Sequence, residues 1–413
     1  MKSALLHVWL GLTAVAVVGG ASAQEKSTRQ FSFGERGLGP AGTNIVATNF
    51  YSADIGFGFE PGAAVSGADY ATSDKPFLFS VKLPEGNYAV TALLNDQTGD
   101  SVTTVKAEQR RLMLEKIQIQ PGTQAARTFI VNVRTPRISA EAQVKLKQRE
   151  LETETVDWDE KLTLEFNGTH PTLRTLIIAP TNVPTIFITG DSTVCDQPAE
   201  PWNSWGQMLP RFFKADVAVA NYAQSGESIR SSLGAHRFDK VFSLLKKGDY
   251  LFVQFGHNDM KDKATNALAV YKTNLRKIVA RTRELGGTPV LVTSMERKSG
   301  IEHDTLGGYP QTVGDVARDE NCALIDLHAM SRIFYRALGA DLDQAFQDGT
   351  HHNNYGSYEL AKCVVLGIQQ AKLPLAKSIA ADFGEFDPAK PDAVATFQMP
   401  VSPTVSREKP LGN

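Results

Sequence analysis

From residue 184 onward, five short and nearly unbroken apolar runs, at 185–189, 217–220, 250–255, 289–293 and 322–327, alternate with stretches of helical period. Apolar residues without polar alternation are what a strand needs when both of its faces are covered. Helices must supply that cover. Tyr271, Leu275, Ile278, Thr282 and Leu285 fall on one helical stripe that stops at Gly286 and Gly287, and Leu360, Ala361, Val364, Val365 and Ile368 make a second. Five strand-to-helix alternations predict a parallel five-stranded sheet in a three-layer α/β/α domain over residues 183–373. Such open sheets bind ligands outside the carboxyl ends of their strands.

The chain before this domain has a different texture. Phe77, Phe79, Val81 and Leu83 share one face, residues 84–87 turn the chain, and Tyr88, Val90 and Ala92 share a face of the next strand, which predicts a hairpin. Further alternating runs follow at 129–133, 162–166 and 173–178, so residues 24–182 are expected to form an all-β sandwich. Residues 374–413 are Pro-rich and lack a period; they read as an extended tail held to the domain by Phe383, Phe386 and Phe397.

At the start, Lys2, an apolar run over 5–18 and small residues over 19–23 have the form of a secretory signal peptide, so a secreted or periplasmic protein is expected. The run is short for a bilayer span, and none of membrane length follows. A formal charge of −2 with no basic run argues against a nucleic-acid partner. Three cysteines, Cys195, Cys322 and Cys363, cannot all pair within one chain and read as small buried residues.

Polar residues cluster after the strand-like runs. Ser192, in Gly190-Asp191-Ser192-Thr193, is placed either as a nucleophile or as a helix N-cap. It is not the nucleophile elbow of α/β-hydrolases, because Val194 stands where G-x-S-x-G needs its second glycine. Asp348 and His351 are three residues apart, which on a turn lets the carboxylate reach Nδ1 while Nε2 points outward. An Asx-turn beside a surface histidine is the alternative, and a metal set with His352 a third, without any H-E-x-x-H to support it. Gly226 and Asn258 offer a backbone N–H and a side-chain amide for an oxyanion, or are ordinary turn residues.

Taken together, Ser192, Gly226, Asn258 and His351, in that order, resemble the four blocks of the SGNH, or GDSL-like, hydrolase superfamily, with its flavodoxin-like sheet. Gly-Asp-Ser-Thr, Gly256-His257-Asn258-Asp259 and Asp348-x-x-His351 are similar to the rhamnogalacturonan acetylesterase branch. Trp202-Asn203-Ser204-Trp205-Gly206 resembles bacterial members that carry an N-terminal carbohydrate-module-like sandwich. The resemblance implies Ser192 as nucleophile, His351 as base, Asp348 as its orienting partner, and Ser192, Gly226 and Asn258 as the oxyanion hole. It implies an acetylated polysaccharide or oligosaccharide as substrate, with neither a metal nor an organic cofactor. Trp202 is a candidate for stacking on a sugar, Trp205 for the core; His257 and Glu227 flank the oxyanion donors, as support or as substrate contacts. Another acyl ester, such as acetylxylan, a lipid or a thioester, is the rival substrate, and a noncatalytic glycan-binding protein the rival class. The sandwich carries none of the four blocks and is expected to serve the polymer, leaving a 184–413 fragment active on small esters.

Overall fold

The computed structural model describes residues 27–35, 42–97 and 99–411; segment 1–23, expected from sequence to be a signal peptide, lies outside the described residues. Among these residues no helix is long and apolar enough to cross a membrane.

The α/β domain contains a parallel sheet with the spatial order Ala218–Asn221, Thr185–Gly190, Tyr250–Gln254, Thr288–Val292 and Ala323–Ile325. Alternate side chains of each strand enter opposite cores. Ile186, Ile188 and Phe252 pack with Trp205, Phe334 and Leu360 on one face, whereas Phe187, Leu251 and Val253 pack with Phe238, Tyr271 and Ile278 on the other. Helices Leu327–Leu338 and Asn354–Gln370 therefore form one outer layer, and Arg237–Leu244, Ala267–Glu284 and Gly308–Asp319 the other. Helix Ala267–Glu284 buries Tyr271, Leu275, Ile278 and Thr282 as its stripe predicts, and ends where Gly286 takes φ +83°, a left-handed conformation that glycine adopts without strain. Because the chain first adds a strand on one side of Thr185–Gly190 and then fills the other side, the strand order reverses at that first strand, the place where open α/β sheets bind their ligands.

The N-terminal region is a sandwich of two five-stranded sheets. Between them lies a ring-rich core in which Phe79 meets Phe31, Phe33 and Phe59 at centroid distances of 5.3, 5.0 and 5.4 Å. The predicted hairpin is not one. Phe77–Lys82 pairs with Lys161–Thr169, while Gly86–Asp96 pairs with Thr175–Pro180 and Thr123–Val133 in the opposite sheet. The turn at 84–87 is thus an arch across the sandwich. Alternation correctly identified Phe79 and Val90 as core-facing, but both sheets face the same core, so it carries no information about which strands pair.

The two regions are joined by more than a linker. Leu112, from the sandwich strand Arg111–Gln118, lies in the hydrolase-side core with Trp205 and Met208. The tail runs over helix Asn354–Gln370, with Phe397 5.4 Å from both Tyr355 and Tyr358 and Phe383 5.7 Å from Phe212. It then reaches the sandwich, where Lys106 Nζ donates to Pro400 O at 2.7 Å and Asn167 Nδ2 to Val401 O at 2.9 Å. All three cysteines are free thiols, with Cys195 and Cys363 buried.

Candidate active site

Ser192 sits two residues beyond the end of strand Thr185–Gly190. The turn that presents it closes on Asp191, whose Oδ1 accepts from Thr193 N and Oγ1 at 3.0 and 2.7 Å. Gly190 is required by space: a Cβ there would fall 2.6 Å from Val194 Cγ2 and 2.7 Å from Gln254 O. From the loop before the last helix, His351 Nε2 comes to 2.8 Å from Ser192 Oγ, and its Nδ1 lies 2.9 Å from Asp348 Oδ2. Asp348 Oδ1 also accepts from the N–H groups of Thr350 and His351, each at 2.7 Å. The Asx-turn and the carboxylate–imidazole contact, alternatives in the sequence, therefore coexist on one carboxylate. Burial alone would raise the Asp348 pKa, but the His351 ring and these backbone donors outweigh it and hold the carboxyl well below the usual range. An ionised Asp348 accepts a hydrogen bond from Nδ1–H, which leaves Nε2 as the acceptor facing the serine hydroxyl. Ser192 and His351 are only 2% and 1% exposed, so this pair is shielded from bulk water.

The candidate oxyanion donors come from the two strands that flank Thr185–Gly190. Gly226, at φ +77°, follows strand Ala218–Asn221, and Asn258 follows Tyr250–Gln254. Asn258 Nδ2 donates to Glu227 O at 3.0 Å, which ties the two loops and leaves the second N–H of that amide for another acceptor. The backbone N–H groups of Ser192 and Gly226 donate to no backbone acceptor among the described residues.

Residues 188–357, which carry every one of these groups, match the GDSL-like Lipase/Acylhydrolase family. Over 223 residues the chain is 33% identical to the rhamnogalacturonan acetylesterase RhgT of Bacillus subtilis strain 168, spanning 48% of this chain and 96% of that protein. The chain belongs to the GDSL-like family. It is also 27% identical over 378 residues to the uncharacterized esterase YxiM of the same organism, covering 85% of this chain and 92% of that one. The crystal structure of YxiM superposes with a TM-score of 0.47 at 24% identity, over 84% of this chain and 99% of the other.

Around the family's four blocks, several side chains work through their neighbours. His257 Nδ1 lies 3.4 Å from Asp191 Oδ2, and its Nε2 lies 3.0 Å from Met295 O, so this buried ring supports the turn that carries Ser192. Burial pushes the Asp191 pKa up, but the His257 and Thr193 contacts prevail and lower it. Glu227 is buried in an ion pair with Lys147 Nζ at 2.7 Å and accepts from Ser231 Oγ. Trp202 stands edge-on to the His351 ring, 5.9 Å between centroids at 89°, and its indole N–H donates to Ser406 O of the tail at 3.2 Å. In Glu227 and Trp202 the polar atoms are occupied by protein partners. Trp205 is in the core, donating to Gln254 Oε1 at 2.8 Å. Two contributors carry no motif signal at all: Gln197, whose Nε2 donates to Ser192 O at 2.6 Å, and Arg110 of the sandwich. Asp191, by contrast, lay in plain view inside the first block.

Glu296, Asp304 and His328 are the grouping with metal-ligand spacing among the described residues. Glu296 is already saturated, accepting from Arg297 N at 2.7 Å, Thr305 N at 3.1 Å, Thr305 Oγ1 and the His328 ring at 3.1 Å. Burial would raise its pKa, yet the His328 and Thr305 hydrogen bonds bring it down to about 2. These contacts clasp the loop at 296–305 and leave the carboxylate no free lone pair for an ion.

His352 packs in a three-ring cluster with Phe346 and Tyr335, at centroid distances of 4.1 and 5.8 Å, and the Tyr335 hydroxyl lies 2.9 Å from its Nε2. Burial, aided by the His351 ring and opposed by Asp348, lowers it from 6.5 to about 3. A histidine that folds neutral stabilises the protein fully above pH 6.5, and that contribution is lost as pH falls toward 3. The stability gap between wild type and His352→Gln should accordingly narrow by about 1.4 kcal/mol per pH unit below 6.5. Urea unfolding at several pH values measures it, and a constant gap would show that His352 is not buried neutral.

Proposed function

We propose that this chain is an exported carbohydrate esterase that removes O-acetyl groups from pectin, with the rhamnogalacturonan backbone as its substrate. The hydrogen-bonded line from Asp348 through His351 to Ser192, 2.9 and 2.8 Å, carries the chemical part of this reading. The similarity to a Bacillus rhamnogalacturonan acetylesterase supports the substrate, and the leader-like segment 1–23 supports export. Ser192 Oγ attacks the acetyl carbonyl as His351 Nε2 takes its proton. Negative charge then gathers on the former carbonyl oxygen, where the N–H groups of Ser192, Gly226 and Asn258 stabilise it more than they stabilise the ester. The sugar alcohol leaves with the proton from His351, and water repeats the cycle to release acetate. Asp348 holds the ring in the required tautomer and stabilises the imidazolium that forms.

Acetate release measured side by side on acetylated rhamnogalacturonan, homogalacturonan and xylan tests the substrate, and rhamnogalacturonan should be deacetylated fastest. An equal or greater rate on xylan would reject pectin specificity. Asn258→Ala should lower kcat by about 10²-fold with little change in KM, because the amide acts on the developing oxyanion. An unchanged kcat would remove Asn258 from the hole.

A further inference from the structure

Between strands Val102–Ala107 and Arg111–Gln118 the sandwich makes a tight turn that enters the hydrolase domain. Glu108 and Arg110 both take left-handed backbone conformations there, φ +54° and +64°, which non-glycine residues rarely adopt. Such strain persists only where surrounding contacts hold it. Glu108 is held within the sandwich, where its N–H donates to Thr163 O at 2.7 Å, whereas the contacts of Arg110 come from the loop after Ser192. Arg110 Nη1 donates to Gln197 O and to Trp202 O, each at 3.0 Å, and its Nη2 lies 2.7 Å from Glu200 Oε1. Next to it, Gln109 Nε2 donates to Asp196 O at 3.0 Å, and Arg111 Nε lies 3.2 Å from Asp196 Oδ2. Arg110 is 6% exposed and Glu200 4%, so neither group has water as a substitute partner.

What Arg110 holds leads directly to both reacting side chains. Gln197 donates to the carbonyl of Ser192 at 2.6 Å, and Trp202 is the ring that stands edge-on to His351. Glu200 in turn receives the tail, with Glu200 N donating to Thr404 O and Ser406 N to Glu200 O, each at 2.9 Å. One planar guanidinium therefore joins the two sides of the Ser192–His351 pair. On the reading above as a serine esterase, we propose that Arg110 is a positioning residue for that pair, and that the sandwich is an integral part of the active site. This departs from the expectation that the sandwich serves only the polymer. A 184–413 fragment would strand Glu200 and Asp196 without Arg110 and Arg111.

The test uses the full chain, with p-nitrophenyl acetate as a small ester and a fluorophosphonate as a probe of serine reactivity. Arg110→Met keeps the aliphatic stem and loses all three contacts. Its kcat and its rate of fluorophosphonate labelling should both fall by about 10²-fold with KM little changed, as a displacement of about 1 Å can cause. Arg110→Lys retains a charge for Glu200 but cannot span three acceptors as a fixed fork. It should fold, recover thermal stability toward wild type, and still show reduced kcat and slowed labelling. If Arg110→Met does not fold, Arg110→Lys decides. A folded variant with wild-type kcat, or a loss of activity that merely follows the unfolded fraction, would overturn the proposal. A wild-type enzyme with no turnover of any ester would overturn the esterase reading itself, an outcome distinct from full activity in Arg110→Lys.

Discussion

Ser192→Ala is expected to lose kcat by about 10⁶-fold, the scale seen when the serine is deleted from an assembled Ser-His-Asp set. The hydroxyl sits 2.8 Å from His351 Nε2, so the substitution removes the attacking atom and nothing else in the line. Any residual acceleration over water would come from the oxyanion donors and substrate binding. Stability should change by only about 1 kcal/mol, the worth of one exchanged hydrogen bond. Steady-state kinetics together with a thermal melt separate the two effects, and substantial turnover in a well-folded variant would exclude Ser192 as nucleophile.

Asp348→Asn is the second large effect, about 10⁴-fold in kcat. The substitution keeps an oxygen for the N–H groups of Thr350 and His351, so the turn should survive. What it changes is the partner of Nδ1. An amide facing Nδ1 can donate, which would place the imidazole proton on Nε2 and leave no acceptor for Ser192. The anion that stabilises the imidazolium formed during the reaction is also lost. In wild type Asp348 is held well below the usual carboxylate range, so it stays ionised through mildly acid conditions. A full-speed Asp348→Asn enzyme would break the proposed dyad.

The sheet was legible because a strand covered on both faces has to be apolar throughout, and Ile186, Phe187 and Ile188 enter two different cores. Three of the proposed catalytic groups were legible because each falls in a short polar block at a strand or helix end. Pairing in the sandwich was not, since Phe79 and Val90 face one shared core from opposite sheets and alternation reports only burial. The setting of Trp202 was equally hidden. Its exposure is decided by His351, by Ser406 some 200 residues downstream and by Arg110 some 90 residues upstream, contacts with no local pattern. Arg110 itself looks in sequence like an ordinary polar turn residue between two strands; only the tertiary structure shows that its partners belong to another domain.

The central claim, that His351 activates Ser192 as the nucleophile, is tested most directly by fluorophosphonate labelling of the full-length enzyme with peptide mass mapping. The expected result is one adduct per chain, on the peptide containing Ser192, formed in step with loss of acetyl-ester hydrolysis and absent from Ser192→Ala. An adduct on a different serine that tracks the loss of activity, or hydrolysis that continues after Ser192 is fully labelled, would contradict it.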